Sequence, residues 1–167
     1  MNNKKMITIS IFLSMAIILS YIERMIPTPF LVAGAKLGLA NIITITTLVL
    51  LDKKSSFLIL VMRVTLVSLL FAGFSGFLYS MTGGLLSYFG MMAMLKLDFK
   101  EVSLVGVSVV GAVLHSLGQV LVAVVIFTNA NLLLYLPAVL LTSLITGIFI
   151  GLVANHLTER LIKAHII

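Results

Sequence analysis

From Val102 to Thr158 the chain runs for 57 residues without one Asp, Glu, Lys or Arg. About 20 apolar residues span a bilayer, so this stretch is long enough for two crossings around a turn near Thr128–Pro137. A soluble domain carries roughly 25% charged residues and covers its surface with them. Here the figure is 10%, against 61% hydrophobic, over 167 residues. No water-facing surface can be built from that mixture. It excludes a soluble globular enzyme, a disordered tail and a solvated nucleic-acid binder, and the chain reads as an all-α integral membrane protein.

Shorter charge-free runs locate the other crossings. They are Met6–Ile22, Leu37–Leu51 and Val64–Leu95, the last interrupted by Gly73, Gly76, Gly83 and Gly84. The pattern predicts a bundle of six transmembrane helices at about 6–24, 34–51, 55–72, 77–95, 102–127 and 135–157. Little is left for loops, so 1–167 forms a single membrane domain. Lipid-facing backbone must pair within the chain, which leaves helices or a closed barrel. The short alternating segments of a barrel are missing. Lys4 and Lys5 precede the first run as they would in a signal peptide. No small-residue cleavage site leading into a polar mature chain follows, and the segment is expected to be retained.

Basic residues in short loops set the orientation. With the N-terminus in the cytoplasm, Lys4, Lys5, Lys53, Lys54, Lys96, Lys100, Arg160 and Lys163 all fall inside, and the C-terminus does too. Topology thus accounts for most of the net charge of +6, and no nucleic-acid partner is needed.

Arg24, Lys36 and Arg63 are left over. A charge at membrane depth costs a few kcal/mol or more and calls for a partner or a purpose. Arg63 lies well inside the third helix. It is open to two readings: an ion pair with Glu23 or bonds to backbone carbonyls, or the counter-charge of an anionic ligand held by its planar fork. Glu23, Arg24 and Lys36 frame the first external loop, whose Pro27 and Pro29 forbid helix and favour an extended, lid-like segment. Lys36 sits at the outer mouth, as an interfacial anchor or a ligand contact. Asn41 lies one turn deeper, where a buried amide needs partners.

Ser108, Gly111, His115 and Gln119 follow one another at steps of three, four and four and share one face of the fifth helix. This stripe is either an interhelical hydrogen-bond pair or one wall of a site. Ser80, Gly83, Gly84 and Ser87 crowd the fourth helix, where two mid-helix glycines cost about 2 kcal/mol relative to alanine and imply tight packing or close ligand approach. Asn129 and Asn131 read best as a solvated turn. Small pairs recur at Ser10/Ser14, Ala16/Ser20 and Gly147/Gly151.

The chemistry that is missing narrows the function. Cysteine is absent, and no second His or carboxylate stands at ligand spacing from His115, so neither a metal nor a cofactor is expected. There is no Gly-rich Lys-Ser/Thr nucleotide loop. Asp52 and Asp98 are the only aspartates and both fall in cytoplasmic loops, so no aspartate cluster can hold magnesium on a diphosphate. No catalytic residue is assigned, and the chain is not expected to be an enzyme.

Lys36-Leu-Gly-Leu-Ala-Asn41, Arg63, Ser80-x-x-Gly-Gly-Leu-Leu-Ser87, Gly106-Val-Ser-Val-Val-Gly111 with His115 and Gln119, and Tyr135-Leu-Pro137 together resemble the Gx transporter family, also labelled heptaprenyl diphosphate synthase component I. The resemblance covers nearly the whole chain. That family is in turn similar to the substrate-binding S-components of energy-coupling-factor vitamin transporters, six-helix bundles with both termini cytoplasmic.

The resemblance implies a multi-pass protein of a bacterial plasma membrane that takes a small-molecule substrate. Its pocket would be built from Lys36, Asn41, Arg63, Ser80, Gly84, Ser87, His115 and Gln119. It further implies a transmembrane coupling subunit with ATPases as partners. S-components meet that subunit through Ala-x-x-x-Ala in the first helix, which here reads Ser10-x-x-x-Ser14 or Ala16-x-x-x-Ser20. The expected function is uptake of a small anionic or amphipathic solute, a vitamin or an isoprenoid or quinone precursor. The alternative is a non-catalytic membrane subunit of a polyprenyl diphosphate or quinone synthesis complex.

Overall fold

The computed structural model describes residues 3–26, 38–96 and 103–164. These form six α-helices: α1 (Asn3–Met25), α2 (Asn41–Leu50), α3 (Lys53–Val67), α4 (Gly73–Lys96), α5 (Leu104–Phe127) and α6 (Leu136–Lys163). A π-helical turn, Ser68–Ala72, continues α3, and a 3-10 turn, Ala130–Tyr135, precedes α6. No strand occurs among the described residues. Among the described residues four stretches are long and apolar enough to cross a membrane: Asn3–Met25, Lys53–Lys96, Leu104–Phe127 and Ala130–Lys163.

Helix ends follow local chemistry. Asp52 caps α3 by accepting from the Ser55 N–H at 3.1 Å, and Ser103 caps α5 by accepting from Gly106 at 3.1 Å. Thr128 closes α5 in the left-handed region at φ 48°. Asn129 Oδ1 then accepts from the Asn131 N–H at 3.0 Å, so these asparagines build the expected turn. Pro137 sits in the first turn of α6, where its missing N–H is harmless.

The stretch Lys53–Lys96 is folded on itself. Tyr88 Oη donates to the Lys53 carbonyl at 2.8 Å, the Tyr88 and Phe57 rings meet with centroids 5.5 Å apart, and Leu60 packs over Gly84. The pairing descends on α4 as it climbs on α3, so the two helices are antiparallel. The expected loop at 73–76 is reduced to Gly73, which takes φ 66°, a conformation that glycine alone adopts without strain.

The second helix differs most from expectation. It was expected over 34–51 but begins at Asn41 and has 10 residues, about 15 Å at 1.5 Å per residue and half a bilayer crossing. Residues 34–37 lie outside the described residues. Every residue from Asn41 to Leu48 is buried, so α2 is enclosed on all sides by the other helices. Thr47 satisfies its hydroxyl on the Ile43 carbonyl at 2.8 Å.

Two apolar clusters hold the bundle. Ile42, Ile45 and Leu48 pack with Leu60, Val64, Tyr88, Met91, Val107 and Ile150. Ile9, Phe12, Ala16, Ile43 and Ile59 form the second, with Leu157 and Leu161 against them. Glycines bring backbones together elsewhere. A Cβ on Gly118 would lie 2.9 Å from Gly83 Cα, and Cβ atoms on Gly147 and Gly151 would lie 2.7 and 2.6 Å from Val109 and Val105 Cα. The Gly147/Gly151 pair therefore packs within the chain, joining α6 to α5. The outside is apolar: Leu69, Phe74, Val125 and Leu134 are 75–79% exposed. Polar groups inside and large hydrophobics outside are the arrangement a lipid environment favours.

Candidate functional site

Several buried polar side chains from four helices meet in one region. Ser20 and Glu23 from the last turns of α1, Gly38 ahead of α2, Arg63 from α3, Ser80 from α4 and His115 from α5 line a common cavity, with Val64 and Val67 beside them. Its volume is about 10 Å³, room for roughly one water molecule. Arg63 is ten residues into α3, about 15 Å along its axis, and 6% exposed. Glu23 is 5% exposed and His115 4%.

Gly38 has φ 84°, open to glycine, and its N–H donates to Glu23 Oε1. That bond ties the end of α1 to the start of α2. The turn is continued by Asn41 N–H donating to the Gly38 carbonyl at 2.8 Å. The Asn41 side chain folds back beside Gly38, where a Cβ would stand 3.1 Å from Asn41 Nδ2 and 3.5 Å from His115 Cδ2. Neither Asn41 Nδ2 nor Oδ1 has a hydrogen-bond partner among the described residues.

The stripe on α5 is buried along its length. Gln119 Nε2 stands 3.0 Å from His115 Nε2 one turn away, so the two side chains pair within α5. With the amide nitrogen donating, Nε2 accepts and the ring proton resides on Nδ1. Gly83 packs against the His115 backbone and ring, and Gly84 against Leu60 and the guanidinium. A Cβ on Gly84 would lie 3.7 Å from Arg63 Nη2. The mid-helix glycines thus serve helix packing, Gly83 against His115 and Gly84 against Leu60, with the Arg63 head group in van der Waals range of Gly84.

Of the residues the sequence singled out, Arg63, Ser80 and His115 line the cavity. Gln119, Asn41 and Gly84 stand behind them through the contacts above. Ser87 lies two turns further along α4, beside Gly111, with its hydroxyl unpartnered among the described residues. Lys36 and the Pro27–Pro29 loop lie outside the described residues. Glu23, Ser20 and Gly38 were not among the expected pocket residues. Ser20 was assigned to the coupling-subunit surface, yet it lines the cavity, and Ala16 is 1% exposed in the core. Ser10 and Ser14 face outward. The two small-residue pairs of α1 therefore lie on different faces.

Arg63 is the one buried arginine among the described residues, and its Nε and Nη2 have no hydrogen-bond partner there. Opposite charge is supplied by Glu23 across the cavity. Unmet guanidinium N–H groups at membrane depth are costly, and they suit a carboxylate or phosphate oxygen. Among the described residues no group of three or more His, Asp or Glu side chains could hold a metal ion.

The family model described as heptaprenyl diphosphate synthase component I matches residues 12–157. No curated protein and no solved structure matches the chain.

Proposed function

We infer the function of this chain from its family and its buried polar cluster together: it belongs to the heptaprenyl diphosphate synthase component I family, and we propose that it is a solute-binding membrane subunit. Its six helices lie within the bilayer, the short α2 reaching from the cavity toward the Lys5–Asp52 end, with both termini in the cytoplasm; it takes up a small anionic or amphipathic solute and relies on partner ATPases and a coupling subunit for energy. The observation that carries this reading is Arg63, buried in the apolar bundle with two N–H-bearing nitrogens unpartnered among the described residues. Structural ion pairs in membranes satisfy such groups, whereas a binding site keeps them for its ligand.

The topology is supported by the basic residues. Lys5 pairs with Asp52 at 2.6 Å, and α6 packs Leu157 and Leu161 against the same end of α1 and α3. The lysines of α1 and α3 and the Arg160–Lys163 turn are therefore gathered at one end of the bundle. That end is the cytoplasmic one by the positive-inside rule. The candidate cavity lies toward the other end.

Small-molecule pockets measure roughly 300–1,000 Å³. The cavity here holds about one water, so solute binding draws the α1 and α3 walls away from α4 and α5. Ser10 and Ser14, the outward small pair on α1, are the proposed contact with the coupling subunit.

The family description favours a second reading, an auxiliary subunit of a prenyl diphosphate synthesis complex. Purification of the full chain from native membranes in mild detergent separates the two. Co-purifying ATPase and membrane coupling subunits support transport. A stoichiometric soluble prenyl synthase without them supports the auxiliary reading and contradicts uptake.

A further inference from the structure

We propose that Glu23 is a built-in stand-in for the anionic group of the ligand, and that anion binding is coupled to uptake of one proton by Glu23. This rests on the reading of the cluster as a solute site. The donors gathered there are of a kind: the Gly38 N–H leading into the short helix α2, the unpartnered Nε and Nη2 of Arg63, and the unpartnered amide of Asn41, 2% exposed beside Gly38. Backbone N–H groups before a helix and a guanidinium fork both favour an oxyanion. One oxyanion is already present, because the Glu23 carboxylate accepts from Gly38 and faces Arg63 across the cavity.

A ligand carboxylate, phosphate or sulfate must compete with that carboxylate for the same donors. The cavity has space for about one water, so two ionised oxyanions would sit within a few ångströms of each other at low dielectric. Two such charges cannot both remain ionised there. Protonating Glu23 removes the conflict: the carboxylate takes a proton from water, releases the Gly38 N–H and leaves it with Arg63 to the incoming anion. Among the described residues, the other titratable or charged groups lining the cavity with Glu23 are Arg63 on α3 and His115 on α5, while α2 and α4 bring Asn41 and Ser80 nearby, which do not titrate. His115 is the rival proton acceptor.

The probe is sulfate, whose charge is constant from pH 5 to 8, added at constant ionic strength to the full chain in mild detergent with thermal melting as the readout. In the wild-type protein its affinity is expected to rise about tenfold for each unit fall in pH, as one linked proton requires. Glu23→Gln, a mimic of the protonated carboxyl, is expected to bind sulfate at every pH with the tight, low-pH affinity of the wild type. Arg63→Ala is expected to lose binding. An infrared difference spectrum of wild-type protein on adding sulfate should show a protonated-carboxyl stretch, a readout that survives even if Glu23→Gln fails to fold. A pH slope that persists in Glu23→Gln and vanishes in His115→Gln overturns the role of Glu23 while leaving the binding site intact. So does pH-independent binding that still needs Arg63. Absence of saturable sulfate binding in both wild type and Glu23→Gln overturns the proton-coupled site, and binding of other solutes that depends on Arg63 would still support the subunit's function.

Discussion

Gly118 and Gly83 meet so closely that a Cβ on Gly118 would stand 2.9 Å from Gly83 Cα and 3.0 Å from its nitrogen. The crossing of α4 and α5 is thus backbone against backbone, and it sets Ser80 and His115 at the spacing that closes the cavity. Gly118→Ala is expected to destabilise the fold by about 1–3 kcal/mol, the usual cost of overpacking. Gly106→Ala is the control, since its Cβ would first meet Ser103 Oγ at 3.6 Å. It should be neutral or slightly stabilising by helix propensity. Thermal melts of both variants in the same detergent check the contrast.

Lys5 and Asp52 lock the start of α1 to the α2–α3 connection at 2.6 Å. The Lys5 ammonium, then the Ser55 hydroxyl and N–H, hold the Asp52 carboxyl well below the usual carboxylate range. A carboxylate lowered in the folded state contributes stability that is present above its unfolded value near 3.8 and is lost as pH falls below it toward the folded value. Melting temperature measured downward from pH 5 should therefore fall in the wild type. In Asp52→Asn and Lys5→Ala that acid-side fall should be smaller.

Ser10 and Ala16 lie only six residues apart on α1 but face opposite ways, outward and inward. Ser10→Leu should leave melting temperature and solute binding unchanged and weaken association with a membrane partner in detergent co-purification. Ala16→Leu inserts a larger group at a site 1% exposed and should destabilise the bundle by about 1–3 kcal/mol. If Ser10→Leu left partner association intact, that face of α1 would not be the docking surface.

His115 and Gln119 hold each other at 3.0 Å. Gln119→Leu removes the orienting partner and leaves a buried imidazole less well satisfied, a loss of about 1–3 kcal/mol in stability. Solute affinity should fall along with it, because the ring loses the amide that donates to its Nε2. Equilibrium binding and melting on the same samples separate these effects.

Much of the helical architecture is legible in the sequence. Charge-free runs locate helices because lipid forbids charges, and steps of three and four put Ser108, Gly111, His115 and Gln119 on one face regardless of context. Arg63 stands out because a lone midspan guanidinium has few innocent explanations. The extent of α2 was not legible, since Leu37–Leu51 is equally apolar whether it is helix or not and no proline or charge marks the start at Asn41. The facing of Ala16 and Ser20 was hidden for a similar reason. In a helix apolar on all sides, small-residue spacing does not say which side meets the bundle. Glu23 reads as a loop-edge charge or a partner of Arg63, but its bond to the Gly38 N–H is hidden in the sequence, because that turn depends on a φ of 84° and on tertiary packing.

The cluster around Arg63 is proposed to hold a solute. Native mass spectrometry of the full chain from mild detergent, compared with Arg63→Ala, tests it most directly. A stoichiometric small molecule is expected on the wild-type protein. In a folded Arg63→Ala variant it should be absent, because losing one partner of a buried charged contact weakens binding by about 30-fold or more. A small molecule bound equally to both proteins, or an empty wild-type protein whose variant only melts lower, would contradict it and make Arg63 a structural residue.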